Sequence, residues 1–529
     1  MKNVPIEFTQ ALVAVLVVSL LVAVAAREKI KRRGIASGLA PVAPYALPFF
    51  HHTFQVIWHS NRAHDWFTEL CEQHGGRPFR MRTAGRPGCT SVNTPQLFED
   101  VLKTHFDDFE KGDGMRENLQ DLLGNGIFAA DGLTWFHQRK TASNLFTMRA
   151  LRESMAHTVG NLLPTVHQIL RHAAESQEHV DLVKLLNRFT MEAFARIGFG
   201  VELNCLDADE DHPFMAAFDS AQRIISLRFV RPAFFWKLLR WLNLGYEARL
   251  KEDIKVVNDT VFQIISRSLE QRQRCNPLCG TAKIPPGAPR KSTDIVSLFL
   301  DHVSNDEKRC VGDSSFDPIF LRDIVVNFLI AGRDTTAQAM CWFFFEIGQH
   351  PNVCQRLREE LSEVLPKQSA APTMDQVREM IYLEAVIRET LRLHPSVPAN
   401  FKQARRDVVL SDGTFIPAGT SVAVSSYSLG RNCAVWGPDA KTFRPERWLD
   451  PQDPKKLIAV SAFQFTAFHA GPRMCLGMNL AMMEMKIFLS SILSQFVIQL
   501  APGQQVTYDL SLTLPVKGTL NARVVVAQD

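Results

Sequence analysis

The ten residues Phe468 to Gly477 restrict the fold of this 529-residue chain more than any other segment. Gly471 permits a tight backbone turn beside a bulky ligand, and Arg473 adds a fixed positive charge that can pair with a carboxylate. Cys475 is followed by a helix-forming run through residue 486. Its sulfur is therefore expected near a helix N-terminus, where backbone N–H groups and the dipole favour a thiolate. The segment predicts a turn that presents one thiolate to a metal, and a buried structural cysteine is the competing interpretation.

The clearest helical pattern of the chain predicts a buried helix. Its helical pattern begins near Asp317 and Pro318 and continues until Pro351, which is long enough to cross a whole domain. Residues 331–336, AGRDTT, place charges and two hydroxyls inside this run. Burying such groups without a use costs several kcal/mol. The segment is therefore a candidate functional site, and a kinked helix whose charges face a solvent channel is the alternative.

Two residue types in AGRDTT predict a local groove on the helix. The hydroxyl of Thr335 can bond back to the carbonyl of Ala331, four residues earlier. Gly332 weakens the helical hydrogen-bond ladder beside it. Such a groove could admit dioxygen and water against the face of a cofactor.

Both segments resemble the cytochrome P-450 family. The pattern Phe-x-x-Gly-x-Arg-x-Cys-x-Gly, which ends at Gly477, is similar to the haem-ligand loop of that family, and AGRDTT is similar to its oxygen-activation motif. The resemblance implies haem b as the cofactor, with Cys475 as the ligand of its iron. It implies cofactor contacts for Phe468 and Arg473, and catalytic, proton-supplying roles for Asp334 and Thr335.

A third motif, WFHQR, places Trp135 and Arg139 one helical turn apart. Both side chains are hydrogen-bond donors suited to a carboxylate. The resemblance implies that this pair and Arg473 bind the haem propionates, and that Lys402 is a further basic partner. A surface amphipathic helix is the alternative interpretation of this motif.

The fourth motif joins two distant segments. Glu389 and Arg392 are three residues apart on a predicted helix and can pair on one face. The resemblance implies that Arg447, in FRPERW, joins them in a buried triad that is structural and not catalytic. Breaking a buried charge pair costs about 3–5 kcal/mol, so all three positions are expected to resist substitution.

The N-terminal segment predicts a membrane anchor. Residues 6–26 are almost wholly apolar, and the stretch 27–33 carries five cations against one anion. At about 1.5 Å per residue, such a helix comes close to the roughly 30 Å hydrocarbon core. The positive-inside rule then predicts a single-pass protein with a cytosolic catalytic domain. The expected location is the endoplasmic reticulum membrane. A cleaved signal peptide is the alternative.

The rest of the chain predicts one large catalytic domain. Residues 27–50 form a basic flank and a proline-rich elbow, and residues 51–529 the haem-binding domain. The fold class is mainly α with a small β portion, the cytochrome P-450 fold, preceded by one transmembrane helix. Strands are predicted at four places: a hairpin at 408–416, a strand at 421–425, and β-rich segments at 506–514 and 522–527.

Charge excludes one class of partner. The chain has 59 Lys and Arg against 55 Asp and Glu, a net charge of +4 that is too small to imply a nucleic-acid partner. The resemblance implies O2, a hydrophobic substrate, the lipid bilayer and a membrane-bound NADPH–cytochrome P-450 reductase as partners. No Gly-x-Gly-x-x-Gly motif after a strand is present, so we expect electrons to arrive from outside the chain; the resemblance implies that the reductase supplies them from NADPH.

The implied activity is a haem-thiolate monooxygenase. Residues 231–250, with the two motifs above, resemble the plant and fungal long-chain fatty-acid ω-hydroxylase clan, which implies hydroxylation of a fatty acid or alkane at or near its terminal carbon. A reductase-independent isomerase of lipid hydroperoxides and a non-catalytic haem sensor are the alternatives. The variable segments expected to contact substrate are 112–130, 214–230, 327–335, 397–401 and 511–516.

Overall fold

The computed structural model describes residues 38–146, 149–206, 212–275, 295–296, 299–300, 317–365 and 371–527. This part of the chain is mainly helical with a small β portion, as the sequence predicts. The helices are α1 (Thr53–Trp58), α2 (Ala63–Gln73), α3 (Pro95–Glu99), α4 (Asp113–Leu123), α5 (Gly132–Phe146), α6 (Arg149–Ser176), α7 (Leu182–Phe199), α8 (Pro213–Val230), α9 (Ala233–Leu242), α10 (Gly245–Cys275), α11 (Pro318–Leu329), α12 (Thr335–Gln349), α13 (Pro351–Val364), α14 (Met374–Glu379), α15 (Ile381–Leu393), α16 (Ser426–Gly430), α17 (Cys433–Trp436) and α18 (Met478–Gln495).

The predicted long helix is present and crosses the core. A π-helical turn at Ile330–Asp334 joins α11 to α12, so the helical path runs from residue 318 to residue 349. Asp317 caps it, because its carboxylate accepts the N–H of Ile319 at 2.9 Å, and Pro318 occupies the first position, where no N–H is needed. The helix packs against α7 and α10, and its apolar side chains belong to the main hydrophobic core.

The strands form small sheets at the edge of this helical body. They are β1 (Phe79–Met81), β2 (Cys89–Val92), β3 (Phe109–Glu110), β4 (His179–Asp181), β5 (Ala399–Ala404), β6 (Val408–Val409), β7 (Phe415–Ile416), β8 (Ser421–Ser425), β9 (Phe496–Leu500) and β10 (Asn521–Val526). The largest sheet has the order β1-β2-β8-β5-β3, and its β2–β8 pair is parallel. Strands β6 and β7 form the predicted hairpin, with Val408 opposite Ile416, and β8 is the predicted strand at 421–425.

One strand prediction was wrong. Residues 506–514 form no strand and make a single bridge, between Tyr508 and Val516. The reason is that both edges of β10 are already paired, one with β4 and the other with β9. The segment instead crosses to the buried helix, where Thr513 and Leu514 form hydrogen bonds with α12.

The start of the described chain lies on the body of the domain. Residues 38–50 belong to the predicted elbow, yet Leu39 bridges to Phe415 and Val42 bridges to Arg80. These contacts join the last part of the elbow to the sheets. The predicted anchor at residues 6–26 lies outside the described residues. Within the described ranges, no helix has the length and apolar character needed to cross a bilayer.

Candidate active site

The loop before α18 is a tight turn around Cys475. The backbone N–H of Cys475 donates to the carbonyl of Phe468 at 2.8 Å, which closes the loop. Gly471 has φ +68°, and a Cβ at this position would overlap the carbonyl oxygen of Leu102. Only glycine fits both requirements, because other residues pay for this backbone conformation and none could avoid that carbonyl. The predicted turn is therefore present, and it is held against the segment 100–104.

The Cys475 thiol lies close to the backbone N–H groups of Gly477 and Met478. Its side chain is accessible to solvent, yet desolvation by the surrounding protein raises the pKa of the thiol. A side chain with both properties lines an internal cleft. The backbone N–H groups of Gly477 and Met478, at the start of α18, and the charge of Arg139 act in the opposite direction and favour the thiolate. The sulfur thus lies at a helix N-terminus, as the sequence predicts.

A strip of the buried helix lines the same interior region. From residue 321 to residue 344 every residue is buried except Ala331, Gly332 and Thr335. We call these three residues the accessible strip. These three positions share one helix face. The ring of Phe146 packs close to Gly477 and also stacks on Phe328, one turn before the strip, with ring centroids 6.1 Å apart. Phe146 therefore connects the cysteine loop to the strip.

The groove predicted at AGRDTT is present as a π-helical turn. The hydroxyl of Thr335 donates to the carbonyl of Ala331 at 2.7 Å, the bond that the sequence predicts. Gly332 has a second role that the sequence did not indicate. A Cβ at Gly332 would overlap the ring of Phe194 on α7, so glycine is needed here for the two helices to pack.

Asp334 is turned away from Thr335 and towards α8. Its carboxylate accepts the amide of Gln222 at 2.6 Å and the guanidinium of Arg333 at 2.7 Å. Burial raises the pKa of Asp334 to about 6, although the neighbouring Arg333 lowers it. Arg333 is itself fully buried and reaches Asp219, a half-exposed residue of α8, at 2.7 Å. The predicted alternative, in which both charges face a solvent channel, does not occur because α8 covers them.

Buried positive charge accumulates beside the cysteine loop. Lys402 is 1 % exposed, its ammonium has no hydrogen-bond partner in the described residues, and burial lowers its pKa well below the usual value. Lys111 is also buried, which lowers its pKa to about 8, and the field of Arg473 adds to this shift. The nearby carboxylate is that of Asp131, which accepts Arg473 at 2.7 Å. Three cations against one anion leave a positive surplus that an anionic ligand can neutralise.

This surplus is the feature that fits a haem. The two propionates of the group would meet the orphaned Lys402 ammonium and the Nε of Arg473, which also has no partner in the described structure. Trp135 belongs to the same cluster, because its ring lies under the Arg473 guanidinium at 4.5 Å. Arg139 is near enough to Cys475 that each affects the pKa of the other. All predicted cofactor contacts thus surround one interior region.

Sequence reasoning missed Lys111 and Asp131. Asp131 organises the cluster, because its carboxylate also accepts the backbone N–H of Lys111 and the guanidinium of Arg116, the latter at 2.7 Å. Neither residue belongs to a recognisable motif, and the segment around Lys111 reads as an ordinary polar loop. Lys111 is identified only by its burial beside Arg473, and Asp131 only by its ion pair with Arg473.

The structure brings the three residues of the fourth motif together. Glu389 accepts two bonds from Arg392 at 2.8 Å, and the Nε of Arg447 at 2.9 Å. Glu389 and Arg392 are fully buried, and Arg447 is nearly so. The indole N–H of Trp448 also donates to Glu389 at 2.9 Å. No member of the triad is near the accessible strip in sequence or hydrogen bonding, which agrees with a structural role.

Comparison with known proteins identifies this arrangement. A family model described as cytochrome P450 matches residues 41–521. The chain is 35% identical to cytochrome P450 86B1 of Arabidopsis thaliana, over 87% of this chain and 82% of the relative. It is 34% identical to cytochrome P450 704B1 of the same plant, over 91% and 94%, and 36% identical to cytochrome P450 CYP94D109 of Paris polyphylla, over 82% and 84%. The chain is therefore a monooxygenase that belongs to the cytochrome P450 family.

Proposed function

We propose that the protein hydroxylates a long-chain fatty acid or an alkane at or near its terminal carbon. The observation that carries the proposal is the accessible strip on a buried apolar helix, which Phe146 links to the loop of the Cys475 thiol. Haem bound there supplies the oxidising chemistry, with the thiolate as the electron-rich ligand that favours O–O cleavage. The residues of this chain bind the group, position the substrate and handle protons.

Thr335 is proposed to hold a proton at the strip. Its hydroxyl bonds back to the carbonyl of Ala331 and is half-exposed, so rotation about one side-chain bond turns it from that carbonyl towards the cleft. In that rotamer the hydroxyl would donate a hydrogen bond into the cleft.

Asp334 is proposed to return a proton to the Thr335 hydroxyl after that hydroxyl has given one up. A pKa of about 6 lets its buried carboxyl take up and release a proton near neutral pH. Arg333 links it to Asp219, whose side chain is 51% exposed and reaches solvent. Because Asp334 bonds to Gln222 and Arg333, and Thr335 to Ala331, transfer between them needs a water molecule or a rotation of Asp334.

The proposed substrate enters from a lipid phase. An exposed apolar face, formed by α1 and α9, supports this: Trp58 is 82% and Trp241 80% exposed, and Phe234 and Leu244 also lie largely in solvent. Apolar side chains this exposed mark interaction surfaces, and tryptophan suits the bilayer interface. Helix α1 contacts α8, whose end leads into α9, so both parts of the face lie on one side of the domain.

The same face supports the proposed location. We place the protein on the endoplasmic reticulum membrane, anchored by residues 6–26, with the catalytic domain in the cytosol. A membrane-bound NADPH–cytochrome P450 reductase delivers the electrons there. Fractionation of cells that express the full chain, followed by protease protection of residues 38–529, tests the location and the topology.

Turnover with a panel of fatty acids of increasing chain length tests the substrate. The full-length protein is incubated with reductase, NADPH and each acid, and the products are separated by mass spectrometry. We expect hydroxylation at or next to the terminal carbon of at least one acid, and none with Cys475→Ala. NADPH consumption coupled to oxygen uptake separates this activity from an isomerase and from a sensor. No hydroxylated product at any chain length would remove the substrate proposal.

A further inference from the structure

Two turns of the chain meet beside Thr335. The hydroxyl of Ser396 donates to the carbonyl of Thr335 at 2.7 Å, and the N–H of Leu514 donates to the carbonyl of Ser396 at 3.0 Å. The half-exposed Val397 follows Ser396 directly. The 511–516 turn is thus hydrogen-bonded directly to Ser396, and through Ser396 to Thr335.

Gln338 clamps the 511–516 turn from α12. Its amide nitrogen donates to the hydroxyl of Thr513 at 2.8 Å, and its amide oxygen accepts the N–H of Leu514 at 3.1 Å. Both ends of one buried amide are therefore used on two consecutive residues, which fixes the side chain in a single orientation. Gln338 is three residues after Thr335, so a shift of the turn is coupled directly to the helix that carries the strip.

Two further side chains continue the clamp along the same helix face. Trp342 donates its indole N–H to the carbonyl of Leu514 at 2.8 Å. Its ring stacks on His394 with centroids 4.1 Å apart, and His394 bonds to Glu346 at 2.6 Å. Gln338, Trp342 and Glu346 are four residues apart and share one face. Together they hold the 511–516 turn and the end of α15, just before Ser396, in one register.

We infer that Gln338 is a positioning residue that determines which carbon of the substrate is oxidised. It acts through the 511–516 turn and does not touch the substrate itself. The physical reason is that a displacement of about 1 Å between reacting groups changes reactivity by about a hundredfold. A turn held at three points beside Thr335 therefore selects one carbon of the substrate. When the turn is loosened, the adjacent carbons are oxidised as well. The identity of the substrate rests on the proposed function, and the clamp does not.

Product isomers measure the selection. Gln338→Leu removes both amide bonds, Thr513→Val removes one, and Trp342→Phe removes the indole N–H but keeps an aromatic ring on His394. Gln355→Leu, at an exposed glutamine of α13 that bonds to Glu359, is the matched control. Each lost hydrogen bond is worth about 1 kcal/mol, so we expect the ratio of terminal to interior hydroxylation to fall by about fivefold in each single-bond variant. In Gln338→Leu and Trp342→Phe, NADPH consumption per haem should stay within about twofold of wild type, because the proton-handling residues are intact.

Amide hydrogen exchange tests the clamp without any substrate. In the full-length haem-loaded protein, the peptide covering 511–516 should exchange about fivefold to tenfold faster in Gln338→Leu, and peptides of α18 at the wild-type rate. If Gln338→Leu fails to bind haem, Thr513→Val and Trp342→Phe carry both measurements.

The outcomes separate the inference from the proposed function. A wild-type protein that oxidises no fatty acid overturns the substrate proposal alone, and the isomer ratio is then read on the hydrophobic compound that it does oxidise. Unchanged exchange at 511–516 in all three variants overturns the clamp. Faster exchange with an unchanged isomer ratio overturns the role in selecting the carbon.

Discussion

Glu389→Gln tests the buried triad most directly. Glu389 accepts five hydrogen bonds on two carboxylate oxygens: two from Arg392, one from Arg447, one from the indole of Trp448 and one from the backbone N–H of Arg444. Glutamine preserves the shape but removes the charge, and it turns an NH2 group towards the arginines. The change therefore breaks the pair without creating a cavity.

The magnitude follows from what remains around each arginine. Arg447 keeps Asp439, which is 30% exposed and lies at 3.3 Å. Arg392 keeps backbone carbonyl oxygens, among them that of Thr442 at 3.1 Å, and the ring of Trp436 at 5.3 Å, but no anion in the described structure, and its charge is fully buried. Leaving such a charge unpaired costs about 3–5 kcal/mol. The ratio of folded to unfolded protein should fall by at least about a hundredfold.

Urea unfolding of the haem-loaded protein, followed by far-UV circular dichroism and haem absorbance, measures this cost. Glu99→Gln is the control, because Glu99 pairs with Lys103 at 2.7 Å on the surface and its loss should cost about 0.5 kcal/mol or less. Turnover per haem should be close to wild type in the fraction that folds. A loss of stability below about 1 kcal/mol, or a normal fold with no turnover, would refute the reasoning.

Three further substitutions test the proton-handling hydroxyl, the buried lysine beside the cysteine loop, and a buried carboxyl group. Thr335→Ala should retain haem but release more peroxide per NADPH, since the hydroxyl that holds the proton is gone; tight coupling in this variant would contradict the proposed role. Lys402→Met should raise the urea midpoint of the haem-free protein, because burial opposes the charge of Lys402, and should lower haem affinity by about tenfold or more. A rise or a fall of both the midpoint and the affinity would contradict the propionate assignment. Glu484→Gln should flatten the pH dependence of stability. Burial alone raises the pKa of Glu484 to about 8, so the native state binds the proton more tightly than the unfolded state does. The stability of the wild-type protein should therefore fall by on the order of 4 kcal/mol as the pH rises from about 4.5 to about 8. Equal urea midpoints for the two proteins across this range would rule the effect out.

Contacts between residues close in sequence, or within a restrictive motif, could be predicted without the structure. The Thr335 bond to Ala331 spans one helical turn, so its geometry follows from the helix alone. The tight turn at Gly471 was likewise predictable, because a run of constrained residue types leaves few conformations. The same holds for the helix from residue 318 to residue 349, because its long apolar run follows a helical pattern.

Features that depend on packing between distant segments could not be predicted. Strand β9 at 496–500 follows a helix without a turn signal, and it becomes a strand because β10 offers it a partner. That pairing also explains why 506–514, with equal β propensity, is not a strand. Lys111 lies in a polar loop, and its burial beside Arg473 follows from the tertiary fold. Gln338 looks like any polar residue of a helix until Thr513, 175 residues later, lies opposite it.

The π-helical turn at Ile330–Asp334 has a consequence for insertions and deletions. Each residue of an α-helix turns the chain by about 100°, and a π-helical turn holds one residue more than an α-helical turn. Deleting one residue between 330 and 334 would therefore shorten the π-helical turn to an α-helical turn, and α12 would keep nearly the same rotation relative to α11. Gln338 and Trp342 would still face the backbone of Leu514. The bulge beside Thr335 would be lost, so the extra residue shapes the groove at Thr335 and leaves the clamp on the 511–516 turn in place.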